Sequence, residues 1–306
     1  MKGDSDIDPV ADDGGKKTLL NKDDVKRDGL SQRHIAAYSV GHFNNDLCAV
    51  MWFVYLSWYL KEVVGLSPEV TAAATLSGQI MDGITTPIVG VMSDKINTRC
   101  GQRMPWYILG TVAVIPCFMG IFTDPTFILD NLSENQRNAW YVTLPGLFNV
   151  GWASVQIAHM AIVNNLSASN QKRDRLVNNR NGFTYAANIT ILSFALLLFN
   201  IVDDKKKQFR YLCLIAMSIG AFSSVFYMVT INEPRLTREA KEYDAIYKRD
   251  VLGQVEKKQE TEKTKKTGKT AMDWLKDTNF YIHGLVYMVV RIAVNVTMTV
   301  QPFYLN

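Results

Sequence analysis

Long apolar blocks alternate with short charged stretches along this 306-residue chain. Each block runs for about the ~20 residues that an α-helix needs to cross a ~30 Å hydrocarbon core. The pattern predicts seven membrane-spanning helices, at 35–60, 70–92, 106–122, 140–163, 183–202, 211–231 and 280–305. Two polar segments lie outside them. Residues 1–34 are charged, lack the apolar stretch of a signal peptide, and read as a disordered tail. Residues 232–279 are rich in Lys and Glu of balanced charge and read as a solvated linker with helical parts. The expected organisation is thus a tail (1–34), a six-helix bundle (35–231), a linker (232–279) and one further helix (280–306) in an all-α integral membrane protein.

Composition acquires meaning only through this clustering. A hydrophobic content of 48% and a mean hydropathy of -0.01 are ordinary for a soluble protein whose apolar residues are dispersed, and here they are not. The net charge of +4 likewise sorts by position. Lys16, Lys17, Lys22, Lys26, Arg27 and Arg33 precede the first span, Lys95, Arg99 and Arg103 follow the second, and Lys172, Arg173, Arg175 and Arg180 follow the fourth. Only Lys61 follows the first span and Arg137 the third, so the excess predicts a cytoplasmic N-terminus. The cluster Lys205, Lys206, Lys207 and Arg210 falls on the opposite side and dissents.

Cys48, Cys100, Cys117 and Cys213 fall in spans or in a cytoplasmic loop, which argues against a disulfide framework. Of the N-x-[ST] sites, only Asn131 lies in an expected non-cytoplasmic loop. Trp52, Trp58, Tyr59, Trp140 and Tyr141 sit near span ends and suit an interfacial anchoring belt.

Intramembrane charge marks candidate chemistry. Asp46, Asp82 and Arg291 each lie about 11 to 12 residues into a span, roughly the bilayer midplane at ~1.5 Å per residue. Such groups are expensive in lipid and normally face a cavity or one another, and the competing reading is a structural ion pair. His42 and Asp46, four apart, share a helix face, where a carboxylate beside an imidazole can carry a proton or simply bond at a helix interface. Asn45 adds an amide next to Asp46. Gln156 and His159 share a face of the fourth span, as do Tyr185 and Asn188 of the fifth. No catalytic residue, metal site or cofactor is expected, and the chain does not read as an enzyme.

The run GVMSDKINTRCGQR (90–103), with Asp82 and Pro87 upstream and Pro105–Trp106 downstream, resembles the signature between the second and third helices of the major facilitator superfamily. It has the longer form found in the glycoside-pentoside-hexuronide cation symporter branch. Arg173, Leu176 and Arg180, and the run GHFNND (41–46), match that branch as well. The resemblance implies a transporter working by alternating access, with a small-molecule substrate and the proton as candidate coupling ion. It implies a cavity role for Asp46, Asp82 and Arg180, and a gating role for Gly90, Asp94, Gly101 and Arg103, whose contacts latch the closed cytoplasmic side in the family. Asp94 is suited to accept from a helix N-terminus or to pair with basic side chains. The segments GHFNNDLCAVMWFVYL, GWASVQIAHM and YMVVRIAVNV resemble members of lysosomal and melanosomal membranes implicated in cysteine import and pigmentation.

Departures narrow the substrate. Thr86 stands where the sugar symporters carry a second acidic residue four positions after Asp82, which weakens a sodium site. Ala158 replaces an acidic residue that contacts sugar in some relatives, which makes sugar-cation symport the weaker reading. A twelve-helix transporter needs roughly 150 to 200 more residues than this, at ~20 per span plus loops. The expectation is therefore a truncated form, and a non-transporting membrane protein that binds or regulates a full-length partner is the alternative.

Overall fold

A computed structural model describes residues 30–127, 129, 131–247 and 276–304 of the chain. The expected disorder of the first 29 residues and most of the linker lie outside the described residues.

The first expected span is not one helix. It divides into α1 (Gln32–Val40), a break at Gly41–His42, α2 (Phe43–Val50), a π-helical turn (Met51–Tyr55), the short α3 (Leu56–Trp58) and a second π-helical turn (Tyr59–Val63). The remaining spans are continuous: α4 (Pro68–Lys95), α5 (Met104–Ile121), α6 (Glu134–Leu166), α7 (Asn170–Ile201) and α8 (Lys205–Thr230). An amphipathic helix, α9 (Glu233–Tyr247), follows α8 directly, and α10 (Thr278–Tyr304) is the seventh apolar segment. Among the described residues, α5, α6, α7 and α8 are each long and apolar enough to cross a membrane as single helices.

Local chemistry explains the starts. Ser67 accepts from the Val70 amide with Pro68 at the first helical position of α4, Ser133 and Gln136 form a reciprocal capping box on α6, and Asp204 accepts from Lys206 and Lys207 at α8. α6 packs along both α4 and α5, the first span packs on α7 and α8, and α5 against α8 joins the two groups. α5 and α6 cross on small residues. A Cβ on Gly110 would sit 2.6 Å from the Gly151 carbonyl, so the two backbones touch with nothing between them. α10 lies on the Met51–Trp58 stretch of the first span.

Two expectations about polar and aromatic residues change. Trp52, Tyr59 and Tyr141 are buried rather than placed in an interfacial belt. Trp52 stacks on Phe148 and sits over Gly78, while Tyr59 packs among Phe122 and Phe209. They are core residues: Trp52 and Tyr59 belong to a first span that packs against other helices, and Tyr141 lies on a buried face of α6. The segment after α8 is also not uniformly solvated, since Glu233, Leu236 and Ala240 of α9 are buried and α9 packs on α6.

Candidate functional site

The break in the first span organises the interior. At Gly41 the chain leaves α1, and the freed carbonyls find partners on other helices, as a membrane interior requires. The Tyr38 carbonyl lies 2.9 Å from His159 Nε2 of α6, and the Gly41 carbonyl accepts from Tyr107 Oη of α5 at 2.5 Å. His159 in turn stacks on the Tyr38 ring with centroids 4.3 Å apart, and Tyr227 of α8 lies against it at 5.1 Å. Gly41 is required by this clamp: a Cβ there would come within 2.6 Å of the Tyr227 ring and 2.9 Å of His159 Nε2.

α2 then starts with His42 beside the clamp and carries Asp46 one turn further. His42 Nδ1 lies 3.0 Å from Asp46 Oδ1, and Arg180 of α7 brings Nη2 to 3.2 Å from the same Nδ1 and 4.0 Å from Asp46 Oδ1. Thr184, one turn after Arg180, donates to Asp46 Oδ2 at 3.3 Å. The three side chains retain only 4%, 7% and 15% of their exposure for His42, Asp46 and Arg180. A buried carboxylate and guanidinium of opposite charge limit the desolvation cost that either alone would carry. Asn45 points elsewhere, donating to the Trp152 carbonyl of α6 at 3.1 Å while Trp152 Nε1 donates back to the Asn45 carbonyl at 3.3 Å. Polar atoms remain without a partner among the described residues: His42 Nε2, Arg180 Nε, Asn45 Oδ1 and His159 Nδ1.

The expected site residues therefore separate. His42, Asp46 and Arg180 converge, and Asn45 and His159 brace the first span beside them. Gln156 is half-buried one turn before His159, and Thr86 donates to Asp82 Oδ1 at 3.4 Å within α4. The Arg291 side chain lies outside the described residues.

The loop between α4 and α5 forms a second centre at one end of the bundle. The Arg103 guanidinium donates to Ser93 and to Asp94, joining the end of α4 to the start of α5. Asp94 does not take the helix N-terminus. That place belongs to Glu233, the first residue of α9, which is 2% exposed. Its carboxylate accepts from the backbone amides of Gln102 at 3.1 Å, of Arg103 at 2.9 and 3.1 Å and of Met104 at 2.9 Å, with Asn165 Nδ2 of α6 at 3.4 Å. These are the orphan donors of α5, and the helix dipole favours the anion there. Gly101 stands at φ +111° directly against this carboxylate, and Gly90 lies within α4. Glu233 was not among the expected residues. The local signal was Asn-Glu-Pro-Arg immediately after the last bundle span, with Asn232 accepting from the Arg235 amide.

At the opposite end the dissenting basic cluster is engaged within the protein. Lys206 Nζ lies 2.6 Å from Asp124 Oδ2, and Lys205 sits over the Trp58 ring at 5.6 Å. Burial pushes the Asp124 carboxyl up, but hydrogen bonds from Lys206 and Thr126 outweigh it and hold the group below the usual carboxylate range.

Residues 37–260 match the family model for MFS/sugar transport proteins. The chain is 31% identical to mouse major facilitator superfamily domain-containing protein 12, over 88% of this chain and 58% of that protein, and 30% identical to the human protein of that name over the same shares. An uncharacterized symporter of Synechocystis, sll1374, is 26% identical over 67% of this chain and 37% of its own length. The chain thus spans somewhat more than half the length of the first two relatives. With its helical membrane architecture and a family match across most of its length, this chain belongs to the MFS/sugar transport family of multi-pass integral membrane proteins.

Proposed function

We propose that this chain forms the substrate-handling half of a secondary active transporter, one that moves cysteine or a related small solute across a lysosomal or melanosomal membrane. Transport runs by alternating access with a proton as coupling ion. The observation that carries this reading is the His42–Asp46–Arg180 cluster, buried beside a broken helix in the middle of the bundle. Discontinuous helices and paired intramembrane charges are where transporters of this kind hold solutes and ions. The similarity to major facilitator superfamily domain-containing protein 12 supports the transporter class, while the organelle and the solute rest on the resemblance of the runs at 41–56, 151–160 and 287–296.

In this reading the α4–α5 loop faces the cytoplasm, and Arg103, Asp94 and Glu233 latch that side when it is closed. Gly90, Gly101 and Asp82 serve the same half, Gly90 in the last turns of α4, Gly101 in the loop and Asp82 beside Thr86 as part of the cavity.

Uptake of labelled cysteine into proteoliposomes tests the proposal, with this chain and with a form extended by a second six-helix half. Accumulation above empty vesicles by the extended form is the expected result. Its absence overturns the substrate assignment.

A further inference from the structure

α7 and α8 meet at one end of the bundle, where the Phe199 and Phe209 rings lie 5.3 Å apart, and toward the other end a groove of about 880 Å³ opens between them over α1. Its interior is apolar. The hydroxyls that line it are satisfied within their own helices, Ser39 donating to the Ile35 carbonyl at 2.7 Å and Ser223 to the Gly220 carbonyl at 2.8 Å. Phe43 and Phe183 meet edge to face at 5.8 Å toward its inner end. The lip faces outward: Phe222 is 78% exposed, and Val225 and Val229 continue the same face of α8 at 52% and 77%. In a bilayer such a face lies against acyl chains.

The outer end is polar and basic. Arg175 lines it and donates to Gln32 Oε1 at 3.1 Å, with Asn178 and Asn179 one turn further along α7. Among the described residues Arg175 has no carboxylate partner, and the two asparagine side chains make no hydrogen bond. Arg33 follows Gln32 in the chain, and Lys172 and Arg173 precede Arg175, with Asp174 as the single acidic residue among them. Cationic and amide donors thus stand unsatisfied at the mouth of an apolar slot.

We propose that this groove binds one anionic phospholipid from the leaflet on the α4–α5 loop side, its phosphate held by Arg175, Asn178 and Asn179 and its acyl chains laid between α7 and α8. The dimensions suit that occupant. Gln32 to Phe43 and Arg175 to Ala186 each cover about 16 Å at ~1.5 Å per residue, against roughly 15 Å for one leaflet of a ~30 Å core. A headgroup at Arg175 therefore stands at the membrane surface while its chains reach toward the midplane. Spread over that length, the volume gives a mean cross-section of about 55 Å², below the roughly 80 Å² of a helix ~10 Å across, so a partner helix does not fit. Acyl chains are as apolar in the bilayer as in the groove, so the cations at its mouth supply the preference for an anionic headgroup. The site uses none of the side chains of the His42–Asp46–Arg180 cluster and stands apart from the transport reading.

Native mass spectrometry of the purified chain in detergent tests this, with phosphatidylserine and phosphatidylcholine of identical acyl chains titrated separately. The wild type is expected to hold one phosphatidylserine, roughly fivefold to tenfold tighter than phosphatidylcholine. Arg175→Gln should bring the two lipids level. Gly182 lines the groove and a Cβ there meets nothing within 4 Å, so Gly182→Leu fills the slot without a clash and should remove the single bound lipid. Equal affinity of the wild type for both lipids overturns the proposal, as does undiminished binding by folded Gly182→Leu. Displacement of the lipid by inorganic phosphate also overturns it, by reassigning the mouth to a soluble anion. A phosphatidylserine with a photoreactive diazirine on its acyl chain decides the matter on the wild type alone, whether or not the variants fold. Labelling within 32–43, 175–186 or 219–226 is the expected result, and labelling confined to other segments refutes the site.

Discussion

Glu233 occupies the space that a side chain on Gly101 would need. The carboxylate sits beneath the loop that joins α4 to α5, and Gly101 is also held at φ +111°, where a Cβ is strained on its own account. The loop and α9 are fitted to each other.

Gly101→Ala should therefore destabilise the protein by about 1–3 kcal/mol from backbone strain alone, with a further loss from displacing Glu233. Glu233→Gln keeps one acceptor oxygen for the α5 amides and should cost about 1–3 kcal/mol. Thermal unfolding of the purified protein in detergent measures both, and a melting temperature equal to wild type for Gly101→Ala contradicts the assigned fit.

Asp46→Asn and Arg180→Gln each leave one buried charge without its partner, at about 3–5 kcal/mol. The double variant removes both charges and should be more stable than the sum of the single losses predicts. A double-mutant cycle on thermal stability checks this, and strict additivity refutes a direct coupling between the two side chains.

The clamp at the break makes a separate prediction. Gly41→Ala forces a methyl group against Tyr227 and His159, so the break must close or the neighbouring helices must separate. Expression of folded protein should fall sharply. Tyr107→Phe removes only the hydroxyl that the Gly41 carbonyl needs, at about 1–3 kcal/mol, and should remain folded. Equal yields of Gly41→Ala and wild type in size-exclusion profiles count against the clamp.

The Asp124–Lys206 pair predicts a pH dependence at the other end of the bundle. Asp124 is held below its ordinary range when folded, so its contribution is fully present above the unfolded carboxylate range and disappears as pH falls through the lower folded value. The difference in melting temperature between wild type and Lys206→Gln should shrink on acidification across that interval. Both side chains are partly exposed, so solvent screening keeps the effect small. A difference that grows on acidification reverses the assignment.

The legible parts of the fold were those that depend on local pattern. Apolar length located α4 to α8 and α10, and i,i+4 spacing alone paired His42 with Asp46. Arg180 entered only through resemblance, because nothing in its own neighbourhood announces a partner 138 positions earlier. The break at Gly41–His42 was hidden inside a membrane-length segment, since hydropathy does not register a helix whose backbone bonds are taken over by Tyr107 and His159. Trp52 and Tyr141 were assigned to the interface for the same reason: distance along a span gives depth, but not which side faces protein. Glu233 was missed because its role is made by docking across 129 to 131 positions, while its immediate neighbours are polar.

The docking of α9 also sets where the connection between the sixth and seventh spans begins. With Glu233 fixed to the α5 N-terminus and the following turns laid on α6, the 15 residues of α9 are withdrawn from the stretch that must reach Thr278. The stretch that reaches Thr278 therefore starts after Tyr247 and not at the end of α8.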